Sequence, residues 1–182
     1  MKKIITSLMV LALAVIVGCG KEGTDTIDTG NGSTNTFTDI TLTAKPDSVQ
    51  PINDLQKQAK VGDEVVFTCV VGGESKVHIT GLAATKVIDA AYPNPCLAED
   101  DHCKTPWDYC CSPVEERKAN MALIQIVDEN GKAQKMDISQ TDTFKNLSAM
   151  TIKGTVSKAH SDESILTIDV KGIFPEAPIV KK

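Results

Sequence analysis

Three stretches of this chain alternate apolar and polar residues with a period of two, and no other feature constrains the fold as strongly. In residues 64 to 71, Val65, Phe67, Cys69 and Val71 share one face. Met150, Ile152 and Val156 alternate with Thr151, Lys153 and Thr155, and Leu166, Ile168 and Val170 alternate with Thr167, Asp169 and Lys171. Successive side chains of a strand point to opposite sides, so each stretch reads as a strand with one buried face. Cys69 is thereby expected in the core.

The remaining elements are weaker signals. Residues 82 to 88 read as a strand, less cleanly, and residues 121 to 127 as another; Gly72-Gly73 ends the first strand. Asp128-Glu129-Asn130-Gly131 predicts a hairpin, because Asn-Gly tolerates the positive φ of a tight turn, with Met136 to Ile138 as the return strand. A short helix is expected over Asn53 to Lys60, capped by Asn53 and ended before Gly62. One or two helical turns are expected over Asp142 to Leu147, capped by Thr141 or Asp142. The polar link 159 to 163 is short enough for a hairpin. The order is that of an all-β chain with short helices. It resembles the OB-fold, a five-stranded Greek-key barrel whose helix lies between the third and fourth strands. A small sandwich or another barrel shares the same alternation.

The first nineteen residues have a different logic. Lys2 and Lys3 precede an apolar run, Ile4 to Ile16, too short to span a bilayer comfortably, and Ile16-Val17-Gly18-Cys19 forms a lipobox. Residues 1 to 18 are expected to be a lipoprotein signal peptide, with Cys19 becoming the lipidated first residue. Two or three acyl chains, at about 0.8 kcal/mol per buried methylene, make a stable anchor. Residues 20 to 38 are mostly Gly, Thr, Asp, Asn and Ser and predict a disordered tether, with an end-to-end distance of about 25 Å. Residues 39 to 182 would form the barrel domain. Gly20, rather than an aspartate, follows the cysteine, which favours the outer membrane under the enteric sorting rule, the protein facing the periplasm or the cell surface.

Cleavage removes 18 of the 182 residues and two lysines from a chain of net charge −5, leaving 164 residues and a charge near −7. That length suits one domain plus a tether. Nucleic-acid binding draws its affinity from basic residues that displace counterions. This chain has a single arginine, Arg117, and no basic cluster beyond Lys181-Lys182, so nucleic acid is not an expected partner.

The unusual chemistry sits between the second and third strands, in residues 89 to 118. Cys96, Cys103, Cys110 and Cys111 fall within sixteen residues, which also hold the only tryptophan, Trp107, and Tyr109, with Tyr92 just upstream. In an oxidising compartment these cysteines are disulfide candidates. A bond between adjacent Cys110 and Cys111 would be strained. The other two pairings are Cys96–Cys110 with Cys103–Cys111, and the nested Cys96–Cys111 with Cys103–Cys110, which is preferred. A competing scheme recruits Cys69. Closing a loop of about fifteen residues stabilises by roughly 3 kcal/mol in the chain-entropy model.

The Thr105-Pro106-Trp107-Asp108-Tyr109-Cys110-Cys111 run resembles a motif of an uncharacterised family of bacterial secreted lipoproteins with OB-fold-like domains, where it also follows a pair of upstream cysteines. The resemblance extends from Val61 to Phe174. It implies architecture and export, and no activity.

The alternative reading of the insertion is a metal site, with His102, Cys103, Cys110 and Cys111 as soft or borderline ligands for Zn²⁺ or Cu⁺ and Asp100, Asp101 or Asp108 as oxygen donors. Six residues separate Cys96 from Cys103 and Cys103 from Cys110, wider than the gaps of zinc knuckles. Thiol-redox catalysis lacks a Cys-x-x-Cys motif opening a helix. His78 and His160 have no sequence-local nucleophile and read as surface residues. Glu99 to Asp101 and Glu115 to Lys118 read as solvated. No Gly-x-Ser-x-Gly, P-loop or dinucleotide fingerprint is present, so no catalytic residue is assigned. The sequence therefore predicts a non-catalytic, lipid-tethered binding or scaffolding module of the cell envelope. It would need no cofactor beyond the lipid, and its partner would be an envelope protein or a small ligand. Tyr92, Trp107, Asp108 and Tyr109 are the expected binding surface.

Overall fold

The alternating segments close on one another in the computed structural model, which describes residues 39 to 99 and 102 to 180. The signal segment, Cys19, the tether, Asp100, Asp101, Lys181 and Lys182 lie outside the described residues. Five strands are present: β1 (Glu64–Val71), β2 (Ala84–Asp89), β3 (Met121–Gln125), β4 (Ala149–Lys158) and β5 (Thr167–Pro175). They form a closed barrel in the order β1-β2-β3-β5-β4. Only the β3–β5 pair is parallel; the other four pairs are antiparallel. This is the strand arrangement expected of an OB-like Greek-key barrel, and the Cys-rich segment lies between β2 and β3 as expected.

Period-2 patterning explains most of the core. Val65, Phe67, Cys69 and Val71 of β1 point inward to meet Met150, Ile152 and Val156 of β4 and Ile168 and Val170 of β5. Burial pushes the Cys69 thiol pKa up, and the nearby Asp89 carboxylate adds to the shift, so Cys69 is an inert apolar side chain. The β4 strand bends through a register shift at Lys153/Gly154. A side chain at Gly154 would sit 2.5 Å from Ile168 Cγ2 and 2.7 Å from the Asp169 carbonyl oxygen, so only glycine lets β5 approach this closely.

Alternation fails at one end of β1 and β2, for a physical reason. Val70 and Ile88 point away from the barrel interior yet are fully buried, in a second apolar cluster with Tyr109, Met121 and Ala149. The insertion covers this outer face, so residues on both sides of the strands are apolar. That is why residues 82 to 88 look less like a half-buried strand.

The helices depart from expectation. The first, α1 (Ile52–Gln58), starts one residue before Asn53, and its N-cap residue Pro51 offers no side-chain bond. The cap comes from elsewhere: Asp89, at the end of β2, accepts from the Ile52 backbone N–H at 2.7 Å and from the Ala91 N–H at 2.8 Å. Asn53 Oδ1 is instead buried without a hydrogen-bond partner. Ile52 and Leu55 then plug the barrel. Replacing Asp89 by alanine leaves two backbone N–H groups near its vacated site without an acceptor. A loss of about 1–3 kcal/mol is expected, read by urea denaturation.

The expected return strand Met136 to Ile138 is not formed. The turn at Asp128 to Gly131 closes, with Gly131 at φ 73° and Asp128 Oδ1 accepting from Asn130 and Lys132 N–H, but a single bridge, Val127 to Ala133, follows it. The chain then makes two short 3₁₀ turns, Ile138–Gln140 and Asp142–Phe144, in place of a helix. They serve the same purpose by burying Ile138 and Phe144 in the core. Residues 114 to 119, read in part as a solvated polar face, form α2 (Val114–Ala119), with Glu115 and Glu116 in its first turn and Arg117 and Lys118 in its last, as the helix dipole favours. Among the described residues no helix is long and apolar enough to cross a membrane.

Candidate functional site

The insertion is held in place by backbone geometry before any sulfur chemistry. Asn94 accepts from the Cys96 N–H and starts a 3₁₀ turn over Pro95–Leu97; its Nδ2 donates to the Pro106 carbonyl at 2.9 Å. Pro106–Asp108 make a second 3₁₀ turn, and Tyr109 follows in the left-handed region at φ 52°. Asp108 organises the reversal: Oδ2 accepts from Thr105 Oγ1 at 2.8 Å and Oδ1 from the Cys110 N–H at 2.9 Å. The Trp107 carbonyl accepts from the Gly73 N–H at 2.8 Å, and a Cβ at Gly72 would lie 2.7 Å from that oxygen. Gly72-Gly73 thus both ends β1 and lets the insertion seat against it.

Tyr109 is the anchor. It is 1% exposed, packs with Val70, Ile88 and Met121, and stacks at a tilt on Tyr92 with ring centroids 6.2 Å apart. Burial pushes its phenol pKa up to about 12. Arg117 of α2 donates to the Tyr109 carbonyl at 3.2 Å. Of the residues expected to form a binding surface, Tyr109 is therefore not available to a partner. Tyr109 is interior, Tyr92 and Trp107 are half-buried and packed against the two clusters, and Asp108 is engaged in the turn. The three aromatic side chains tie the insertion to the barrel.

This frame converges the cysteines. Cys110 Sγ lies 3.5 Å from Cys103, 3.7 Å from Cys96 and 3.8 Å from Cys111. Cys96 also faces the backbone N–H and the side chain of Cys111. One donor atom each from Cys96, Cys103, Asp108 and Cys110 falls within 4.8 Å of the others. No disulfide is formed among the described residues, so the expected pairings are not seen; the sulfurs touch without bonding. A disulfide draws two sulfurs to about 2.05 Å and leaves the second pair separate. Here Cys110 is a hub with three nearly equal spokes.

Exposure is graded across the cluster. Cys96 is buried, Cys103 half-buried, and Cys110 and Cys111 exposed. The Cys96 thiol pKa is raised, chiefly by burial, while that of Cys103 is lowered, chiefly by the Thr105 backbone N–H. The Cys110 thiol is pushed up, first by Cys103 and then by Cys96 and Cys111. Of Cys96, Cys103 and Cys110, only Cys103 has its ionisation favoured by its surroundings. Of the expected metal ligands, Cys103 and Cys110 belong to the converging group of four donors; His102, which is exposed, and Cys111, which touches Cys110, do not, whereas Cys96, not among the expected ligands, does. Sequence distance hid Cys96. The Asn94-Pro95 turn that brings it back was the available signal.

Elsewhere the chemistry is sparse. His160 is exposed, and His78 is half-buried with its pKa lowered by burial. A groove of about 330 Å³ runs between β2 and the β4–β5 link, lined by Glu74, Lys86, Met121, His160 and Ile165, and Lys86 is paired with Glu74. No Phe, Tyr or Trp lines it. Comparison with protein-family models, with curated proteins and with solved structures finds no match to this chain.

Proposed function

We propose that the protein is a lipid-tethered, non-catalytic binding module of the cell envelope whose ligand is a thiophilic metal ion, Zn²⁺ or Cu⁺, held by Cys96, Cys103, Cys110 and Cys111. One observation carries this: Cys110 Sγ stands at 3.5, 3.7 and 3.8 Å from three other cysteine sulfurs. Four thiolates at about 2.3 Å from a tetrahedral Zn²⁺ are about 3.8 Å from one another. The three separations from Cys110 match three of the six edges of such a tetrahedron. Asp108, whose oxygen also lies in the 4.8 Å group, is assigned to the outer sphere in favour of the softer Cys111 thiolate, its two oxygens already accepting hydrogen bonds that shape the turn. It orients Cys110 as an outer-sphere group. The lipobox at Cys19 and the resemblance of the TPWDYCC segment support export and anchoring.

The disulfide reading keeps one argument, the oxidising compartment, and the same experiment separates the two. The full chain is purified without reductant or chelator, then subjected to elemental analysis and thiol labelling. About one equivalent of zinc or copper, with the loop thiols labelled only after the metal is stripped, is the expected result. Two intact disulfides and no metal would overturn the proposal.

A further inference from the structure

We infer that the ion is cargo rather than a structural staple, and that it is passed to and from thiol-bearing partners through the exposed Cys110–Cys111 face. This rests on the metal-binding reading above. Four observations point the same way. Among the described residues, the main core is built around Phe67, Phe144 and Ile152 and includes none of the four insertion cysteines. The barrel's strand ladder is complete without them. The insertion has its own anchors as well, in buried Tyr109, the bond from the Gly73 N–H to the Trp107 carbonyl, and the bond from Asn94 to Pro106. A zinc that supplies folding energy belongs to a domain without a sufficient core, which this one has.

The fourth observation is the exposure gradient. Cys96 forms a buried floor, and Cys110 and Cys111 face solvent. Four protein thiolates leave no open coordination position, so exchange requires one of them to be displaced. Here an incoming thiol can reach the ion from the open side. The incoming thiol first loses its proton to solvent; a bond forms between the metal and its sulfur, the bond to Cys111 Sγ breaks, and the displaced Cys111 thiolate takes a proton from solvent. No electrons change hands. The thiolate is the attacking form, so the partner is a chelator rich in ionised cysteine or an equivalent small thiol. Cys96 and Cys103 hold the ion during the exchange.

The test uses the zinc-loaded full chain, a chromogenic pyridylazo chelator as acceptor, and glutathione as the thiol, with circular dichroism in parallel. Release is expected to accelerate in proportion to glutathione concentration, and the stripped protein should keep its β-sheet spectrum and a cooperative melt. Cys111→Ser should still load zinc and release it faster than the parent, while Cys96→Ser should fail to load. Zinc that resists glutathione, or a stripped protein that loses its cooperative melt, would show a structural ion and overturn the inference. A chain that takes up no zinc at the outset defeats the metal reading itself, a different and distinguishable failure.

Discussion

Cys110→Ser is expected to weaken metal binding by more than about a hundredfold, because it removes the sulfur that touches all three others. Loss of an outer-sphere partner alone typically costs about 10–100-fold in affinity, and a first-sphere thiolate contributes more. Serine is similar in shape but is a hard, essentially un-ionised donor at neutral pH, a poor match for a soft ion. His102→Ala serves as the control. That side chain is exposed and outside the converging group, so its loss should leave affinity unchanged within about twofold. Competition against a chelator of known affinity reads both. Equal losses in the two variants would return His102 to the ligand set. An unchanged Cys110→Ser would remove the cluster from metal chemistry. If the cysteines instead pair as disulfides, Cys110→Ser should strand one thiol and produce covalent dimers, visible on non-reducing gels.

Phe67→Ala should be the most destabilising single change in the barrel. Phe67 is fully buried in the middle of β1, directly opposite Ile152 of β4, which is also fully buried. Removing a phenyl group from a closed barrel leaves a cavity that the surrounding ladder cannot collapse around, at a cost of about 3–5 kcal/mol. Against a total stability of about 5–15 kcal/mol, that is a large fraction. For a domain of this size the melting temperature should fall by about 10 °C or more. Val66→Ala, one residue away on the half-exposed outer face opposite Lys153, should cost less than about 1 kcal/mol. The ratio between neighbours is the informative quantity. Similar losses at both positions would mean that β1 does not present the faces described here.

The strands were legible because their determinant is local. Residues 64 to 71 carry an inward row, Val65, Phe67, Cys69 and Val71, and the strand occupies that span. The β4 and β5 segments follow the same rule. Legibility dropped where a distant segment supplied the missing partner. Asn53 is the cap that the local sequence suggests, but the N–H of Ile52 at the helix start is satisfied by Asp89, 37 residues further on. The hairpin turn after β3 was recognisable from Asn130-Gly131, while the return strand was not formed, because the chain beyond it goes instead to bury Ile138 and Phe144 in the barrel.

The site divides in the same way. That residues 89 to 118 carry the distinctive chemistry was evident from four cysteines gathered beside Trp107 and Tyr109. Which of them meet was not evident, since six-residue gaps match no short metal motif. Two 3₁₀ turns joined by Asn94, and a reversal held by Asp108 and by the left-handed Tyr109, fold those gaps away. By itself, then, the sequence determined the strand faces and the place of the cysteines in the chain, because side-chain alternation and composition are properties of neighbours. Only the tertiary structure decided that Cys96 joins Cys103, Cys110 and Cys111 and that Tyr109 is interior. Both depend on the insertion docking against the outer face of β1 and β2, a contact between residues far apart in the chain.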